Sequence, residues 1–315
     1  MNNVKYPTLS LTERAKLLDV PNSGEKLPVV IDSDTANEID DQFAIAWALL
    51  HPERIDLQAI YAAPFTNSMF EDNDSPISCP KSGMEMSYNE IHEVINKVST
   101  SIKPKVFKGA TRYLKNSATP EVTPATKDLI ERSKNCNGTL YVISIGAPTN
   151  LASAILQDPS IIERIHVLWL GGNSYDWENT YEYNMLQDID ASRVILNSGV
   201  ALTQFPCFGV TNTLATSVPE IQYYLNDTSV IGSYLSDSAP NCEWIGFGNR
   251  KVIWDIAPVG FLLNPEWFTD LLVPSPILND NFTYSFDNKR HLIRTIKFIE
   301  RDELFIDLFK KLIKG

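Results

Sequence analysis

Short apolar runs alternate with helical periodicities along most of the chain. Leu27 to Ile31 is a buried-strand run that ends in acids, and Asp40 to Leu50 follows it with a helical pattern. Leu57 to Ala63 reads as a second strand. Lys105 to Lys108, Thr139 to Ile145, His166 to Leu170 and Ala201 to Phe205 read as further strands. Helical stretches fall between them, over 87–102, 122–134, 149–157 and 188–198. This repeated strand–helix–strand order predicts an α/β fold, with an open, mostly parallel (mixed) sheet flanked by helices on both faces. In such sheets ligands bind beyond the carboxyl ends of the strands. Polar residues that directly follow apolar strands therefore carry the most weight.

The stretch 64–86 is polar, contains Gly83 and several prolines, and is expected to form a long loop over that same sheet edge. Loops of that length in compact domains are often functional. Residues 268–298 predict β-structure with turns at Asn279-Asp280-Asn281 and Asp287-Asn288, and the last helix is expected over Asp302 to Lys314. No internal repeat, low-complexity tract or linker breaks the pattern, so residues 1–315 are read as one domain with residues 1–26 as an N-terminal extension.

Composition narrows the function. Hydrophobic residues make up 43% and charged residues 21%, which suits a globular protein with a core large enough to need no staple. The net charge of −12 repels phosphate backbones and anionic lipid, so neither nucleic acid nor a membrane surface is an expected partner. The same acidity fits carboxylates massed around a cation. Cys79, Cys136, Cys207 and Cys242 form no CxxC pair, and free thiols in a reducing, cytoplasmic compartment are expected. The first residues carry no apolar signal-peptide region, and no run approaches the ~18 apolar residues of a membrane span.

The strongest local signal is the segment 29–42, Val-Val-Ile-Asp-Ser-Asp-Thr-Ala-Asn-Glu-Ile-Asp-Asp-Gln. Asp32 and Asp34 end a buried strand, and Asp40 and Asp41 open the next helix. Carboxylates crowded at one strand end repel unless a cation joins them. With no thiol or imidazole in the segment, a hard oxygen-binding ion such as Ca²⁺ fits better than zinc or copper. A blander reading competes: Asp40 and Asp41 serve as helix-start acids favoured by the macrodipole, and Asp32 is bonded to backbone amides. Another reading comes from the strand followed by Asp-Ser-Asp-Thr, which is similar to the nucleophile motif of haloacid-dehalogenase-type phosphatases. There Asp32 would be the nucleophile, Asp34 the acid/base and magnesium the cofactor. That motif does not call for the Asp40-Asp41 pair.

The segment also resembles the N-terminal signature of the inosine–uridine nucleoside hydrolase family, and the likeness continues along the chain. Asn67 follows the second strand where the family has an Asn or Asp near the ribose. Ile145 to Leu151 resembles its strand-to-helix segment ending in Thr-Asn. Leu168 to Asn173 resembles its apolar strand and glycine turn. Glu182-Tyr183-Asn184 resembles its Glu-Phe-Asn, with Asp188 following at a similar spacing, and Trp254-Asp255 stands in the place of its last metal aspartate.

The resemblance implies a Rossmann-like nucleoside hydrolase fold and cleavage of the N-glycosidic bond of ribonucleosides to ribose and free base, by a calcium-bound water that an aspartate activates. It implies that Asp34, Asp41 and Asp255 bind Ca²⁺ through carboxylates and Ile145 through its backbone carbonyl, with Asp34 also the general base. Asp40, Asn67, Glu182 and Asn184 would hold the sugar, together with either Asn173 or Asn179. Asp32 would support the ligands from behind. It further implies a small-molecule nucleoside partner and a homodimer or homotetramer.

Three departures from the family pattern carry information. The turn Thr-Ala-Asn-Glu-Ile, 35–39, is about two residues longer than the pattern and lacks glycine, with Asn37 expected to supply a left-handed residue. Trp254 replaces the histidine that many pyrimidine-cleaving members place before the final aspartate; His51, His92, His166 and His291 lie outside every motif. A purine-preferring branch stacks its base on tryptophan, so Trp254 is expected to stack on a purine. The stretch 64–90 lacks a second tryptophan, leaving Phe65, Phe70 or Tyr88 to cover the other face of the base. Without a protonating histidine, a non-catalytic nucleoside-binding protein on the same fold is the remaining alternative.

Overall fold

The structure is a computed structural model, and it describes residues 4–21, 24–67, 79–242, 245, 248 and 250–315. In chain order the strands are β1 (Leu27–Ser33), β2 (Ile55–Ala62), β3 (Lys105–Lys108), β4 (Leu140–Ser144), β5 (Ile165–Leu170), β6 (Ala201–Phe205), β7 (Ala215–Thr216), β8 (Lys251–Val252), β9 (Phe268–Pro274), β10 (Ile277–Leu278), β11 (Tyr284–Ser285) and β12 (Leu292–Ile299). The helices are α1 (Leu11–Leu18), α2 (Asp40–Leu49), α3 (Pro80–Lys97), α4 (Pro124–Asn135), α5 (Thr149–Gln157), α6 (Tyr183–Gln187), α7 (Ile189–Asn197), α8 (Val218–Leu225), α9 (Val230–Ser238), α10 (Ile256–Leu263) and α11 (Arg301–Lys314).

Eight strands form one sheet in the order β3-β2-β1-β4-β5-β6-β12-β9. All neighbours are parallel except the β12–β9 pair at one edge, which gives the mixed sheet expected from the sequence. Because side chains alternate across a strand, a strand covered on both faces carries apolar residues on both. β1 shows this directly. Val29 and Ile31 enter the core that includes Phe43, Trp47 and Ile256, while Val30 enters the opposite core with Leu151, Val167 and Leu202. Helices α2, α3, α10 and α11 pack on the first face, and α4, α5 and α7 on the second.

Within the segment 1–26, read as an extension, helix α1 contributes packing. Leu17 and Leu18 of α1 bury against Ala201, and the Arg14 guanidinium donates to the carbonyls of Gly199 at 2.9 Å and Val200 at 3.3 Å. Cys79, Cys136 and Cys207 are free thiols. Among the described residues no helix is long and apolar enough to cross a membrane.

Two features of the topology position the site. β1 has β2 on one side and β4 on the other, so the strand order reverses between β1 and β4. At such a switch point the loops that leave the strands diverge and open a crevice. The backbone N–H of Ile145, just past β4, donates to the carbonyl of Asp32 at 2.9 Å, which ties the two strand ends together. Gly146 permits this approach: a Cβ there would lie 3.0 Å from the Asp34 nitrogen and 3.1 Å from its carboxyl carbon.

Candidate active site

The carboxyl ends of β1 and β4 open into a cavity of about 260 Å³, lined by Asp34, Asn37, Glu38, Asp40, Asp41, Ile145, Leu170, Tyr181, Glu182, Tyr183, Asn184, Cys207, Phe208, Trp254 and Asp255. That volume is near the lower end of the roughly 300–1,000 Å³ of small-ligand sites. Asp34 lies directly after β1, and Asp40 and Asp41 form the first turn of α2. Asp255 precedes α10, so strand end and helix starts converge from distant parts of the chain.

The turn 35–39 closes on itself, with the Asn37 N–H donating to the Asp34 carbonyl at 2.8 Å. Asn37 does not take the left-handed conformation expected of it; among the described residues Asp227 and Phe282 are the non-glycine residues at positive φ. Asn37 instead accepts a hydrogen bond from the Tyr183 hydroxyl at 3.2 Å, and the same hydroxyl reaches Asn67 at 3.1 Å and the Thr66 carbonyl at 2.8 Å.

Four aspartates at this end are almost wholly buried. Oxygens of Asp40, Asp41 and Asp255 lie within 4.8 Å of one another, a spacing that can hold a metal ion. Asp34 falls outside that trio but lines the same cavity and feels the charges of Asp41 and Asp40. Burial first, and then Asp41 and Asp40, pushes the Asp34 carboxyl well above the usual carboxylate range. Burial and Asp40 raise Asp41 to about 8, with Ser33 opposing the rise through a hydrogen bond. Burial, followed by Asp40, Asp41 and Asp34, raises Asp255 strongly. Such shifts are the signature of like charges held together out of water. One oxygen of Asp34, Oδ2, is buried with no hydrogen-bond partner among the described residues. Oxygen donors alone, crowded, buried and incompletely satisfied, fit a hard divalent cation. The oxygen donors on this wall that could hold one are those of Asp34, Asp40, Asp41 and Asp255, beside the Ile145 carbonyl, which here accepts from the Asn184 amide at 3.2 Å.

Asp40 is held differently. Its Oδ2 accepts the backbone N–H of Trp254 at 3.2 Å, and its Oδ1 faces the Lys251 ammonium at 3.5 Å. Glu182 caps α6 and accepts from the backbone N–H groups of Asn184 at 2.8 Å, Met185 at 2.9 Å and Gly172 at 2.8 Å. Burial still raises its carboxyl above the usual range. Asn184 also donates to the Leu170 carbonyl at 3.2 Å, so its side chain bridges the ends of β4 and β5.

Other expected residues lie behind the cavity. Asp32 is 1% exposed and accepts from the Asn150 amide at 2.8 Å; burial raises it to about 7. Enclosed in this way and absent from the cavity wall, it is not presented as a phosphatase nucleophile would be. Asn173 is a staple: its amide donates to the carbonyls of Asn179 and Tyr181, and its Oδ1 accepts the Phe208 N–H at 3.2 Å. Asn179 turns its Oδ1 to the Tyr181 N–H at 3.0 Å. Asn67, Asn173 and Asn179 do not line the cavity.

The aromatic wall also differs from expectation. Phe65 is fully buried against Gly83, and Tyr88 packs edge-on to His92 at 4.8 Å, so neither reaches the cavity. Both belong to or abut α3, which starts at Pro80 and not at 87. Phe70 lies outside the described residues. Phe208 stands beside Trp254 instead, with ring centroids 5.6 Å apart at 74°, and Trp177 stacks on its far side at 5.7 Å. Phe208 follows β6, so the strand-end rule that singled out the aspartates pointed to it as well. None of the four histidines lines the cavity.

Comparison with known proteins bears on the family and the fold. The sequence model of a family described as inosine-uridine preferring nucleoside hydrolase matches residues 80–290. The pyrimidine-specific ribonucleoside hydrolase RihB of Escherichia coli O1:K1 / APEC is 25% identical over 260 residues, covering 77% of this chain and 80% of that protein. Among solved structures, the purine-preferring ribonucleoside hydrolase from Gardnerella vaginalis superimposes with a TM-score of 0.71 at 18% identity, over 91% of this chain and 99% of its own. An inosine-guanosine nucleoside hydrolase (IG-NH) also gives a TM-score of 0.71, at 13% identity over the same shares. At these identities the structural likeness speaks to the fold.

Proposed function

The chain belongs to the inosine-uridine preferring nucleoside hydrolase family, and from that premise we propose that it hydrolyses the N-glycosidic bond of purine ribonucleosides with a divalent cation, Ca²⁺, in its carboxylate cluster. The observation that carries the reading is the meeting of two walls in one cavity. Asp34, Asp41 and Asp255 form one, with an unsatisfied oxygen on Asp34, and Trp254 and Phe208 form the other.

Cleavage passes through an oxocarbenium-like sugar. Water must be deprotonated, positive charge on the ribose tolerated, and the departing base stabilised. Asp34, Asp41, Asp255 and the Ile145 carbonyl would hold the divalent ion, which would supply Lewis acidity toward a water and the sugar hydroxyls when bound. Asp34, with its Oδ2 free, is the base that takes the proton from the water. Asp40 and Asn184, both on the cavity wall, accept and donate hydrogen bonds to the ribose hydroxyls, and Glu182 receives the 5′-hydroxyl. The massed carboxylates favour the cationic sugar over the neutral one. Trp254 offers its face to the base, and a base gaining a proton is drawn to an electron-rich ring. A site built around the 2′-hydroxyl penalises its absence heavily.

A panel of inosine, adenosine, guanosine, uridine, cytidine and 2′-deoxyinosine, assayed for reducing sugar, tests the reading. Release from the purine ribonucleosides that exceeds release from uridine and 2′-deoxyinosine supports it. Release from uridine above inosine overturns the purine preference, and binding without release from any nucleoside turns the protein into a nucleoside-binding one.

A further inference from the structure

Lys251, in the two-residue strand β8, sits at the acidic wall with its side chain 3% exposed. It pairs with Glu38 and lies 3.5 Å from Asp40 Oδ1. Glu38 belongs to the turn 35–39 between the two aspartate pairs, and Lys251 comes three residues before Trp254. None of the cavity-lining residues is basic. Among the described residues Lys251 is the basic side chain that forms an ion pair with that wall. Burial alone would favour its neutral form, but Asp40 and Glu38 outweigh burial and keep it charged.

The consequence concerns Asp40. Its oxygen is close enough to those of Asp41 and Asp255 to join them on an ion. Nothing intrinsic to a carboxylate distinguishes Asp40 from Asp34 as a ligand. Lys251 on Oδ1 and the Trp254 N–H on Oδ2 supply the distinction, because each engages one of the two oxygens. Resting on the nucleoside-hydrolase reading of the cavity, we propose that Lys251, locked by Glu38, is a positioning residue: with the Trp254 N–H it occupies the oxygens of Asp40, so that Asp40 serves the sugar although it lies within reach of the ion-binding carboxylates. Asp34, Asp41 and Asp255 are then left to the ion. Through the Trp254 N–H, the same anchor sets the residue that faces the base.

The test compares Lys251→Met and Lys251→Arg with the wild-type protein in two assays: ribose release from inosine, and calorimetric titration of Ca²⁺ alone into metal-stripped protein. Lys251→Met is expected to lower kcat/KM about 100-fold with a raised KM, because the sugar-holding carboxylate is misplaced. Its Ca²⁺ affinity is expected to rise about ten-fold, since a positive charge leaves the cluster and Asp40 becomes available. Lys251→Arg keeps the charge and is expected to restore most of the turnover. A merely structural lysine would lower both quantities together. Unchanged or weakened Ca²⁺ binding in Lys251→Met, or kcat/KM within about two-fold of wild type, overturns the proposal. Should Lys251→Met fail to fold, Glu38→Gln/Lys251→Met removes the pair without changing net charge. Lost turnover with Ca²⁺ affinity still raised supports the proposal there, because Asp40 is released while net charge is held; unchanged or weakened Ca²⁺ binding, or retained turnover, overturns it. A wild-type protein that releases no ribose fails the functional reading separately, because the Ca²⁺ titration needs no turnover.

Discussion

The carboxylate of Asp40 accepts the backbone N–H of Trp254 at 3.2 Å, joining the start of α2 to the segment that carries Asp255. The sugar-facing and base-facing elements of the site are thus fixed to each other, and each can be tested apart from the ion. Trp254→Ala leaves the backbone N–H in place and removes only the ring. Turnover on purine ribonucleosides is expected to fall about ten- to hundred-fold, the combined worth of an aromatic stack and a cation–π contact. Ca²⁺ affinity is expected to change far less, and Trp254→Phe to retain part of the activity. Steady-state kinetics beside a Ca²⁺ titration check this; an alanine variant as active as wild type rejects the stacking role.

Asp34→Asn separates chemistry from folding. The amide cannot take a proton from water and is a poorer ligand, so turnover is expected to fall about 10³-fold. Metal-free Asp34→Asn is expected to melt at a higher temperature than metal-free wild type, because one of several repelling buried carboxylates is gone. Differential scanning calorimetry in chelator reads the sign of that shift. A lower melting temperature would mean that Asp34 is held by stabilising partners instead of strained by its neighbours.

Behind the site, Asn150 donates to Asp32 at 2.8 Å and to the Ala62 carbonyl at 3.3 Å, and its Oδ1 accepts the Ala110 N–H at 2.8 Å. Asn150→Ala leaves these buried groups unpaired. A loss of about 2–3 kcal/mol is expected, measurable as a lower urea midpoint with an unchanged slope. No loss would show that water or a shifted neighbour replaces the amide.

His166 gives a pH dependence that does not involve the site. Its ring is fully buried in β5, with Nε2 2.8 Å from the Thr203 hydroxyl. Burial first, and then the Arg294 charge, lowers its pKa to about 3. The unfolded chain takes up this proton near pH 6.5, whereas the folded chain resists until about pH 3. The unfolded state therefore binds more protons across that interval, and stability declines as pH falls through it. Urea midpoints at pH 7 and pH 5 are expected to differ more for wild type than for His166→Asn; an equal difference would assign acid lability to other groups.

Much of this was legible in the sequence because strands buried on both faces are mostly apolar, and apolar runs mark β1, β4, β5 and β6 despite single buried polar residues such as Asp32 and His166. β3, α5 and β6 have the expected bounds. Helix α10 was not foreseen because it is apolar on every side and shows no helical period against which to read it. The start of α3 was hidden by Pro80, a residue that reads as a loop signal yet is tolerated in the first turn of a helix. In the site, the aspartates stood out because acids directly after a buried strand are costly. Glu38 and Lys251 did not, since in sequence each alone reads as an ordinary surface residue and their pairing depends on chain closure between distant segments.

The central claim is that the buried carboxylates act through a divalent ion, and one measurement addresses it most directly. Reducing sugar released from inosine is followed in metal-stripped protein before and after Ca²⁺ is restored. The account predicts no release above background in the stripped protein and full recovery on addition of Ca²⁺, lost again in Asp255→Asn. Equal release with and without chelator would contradict it.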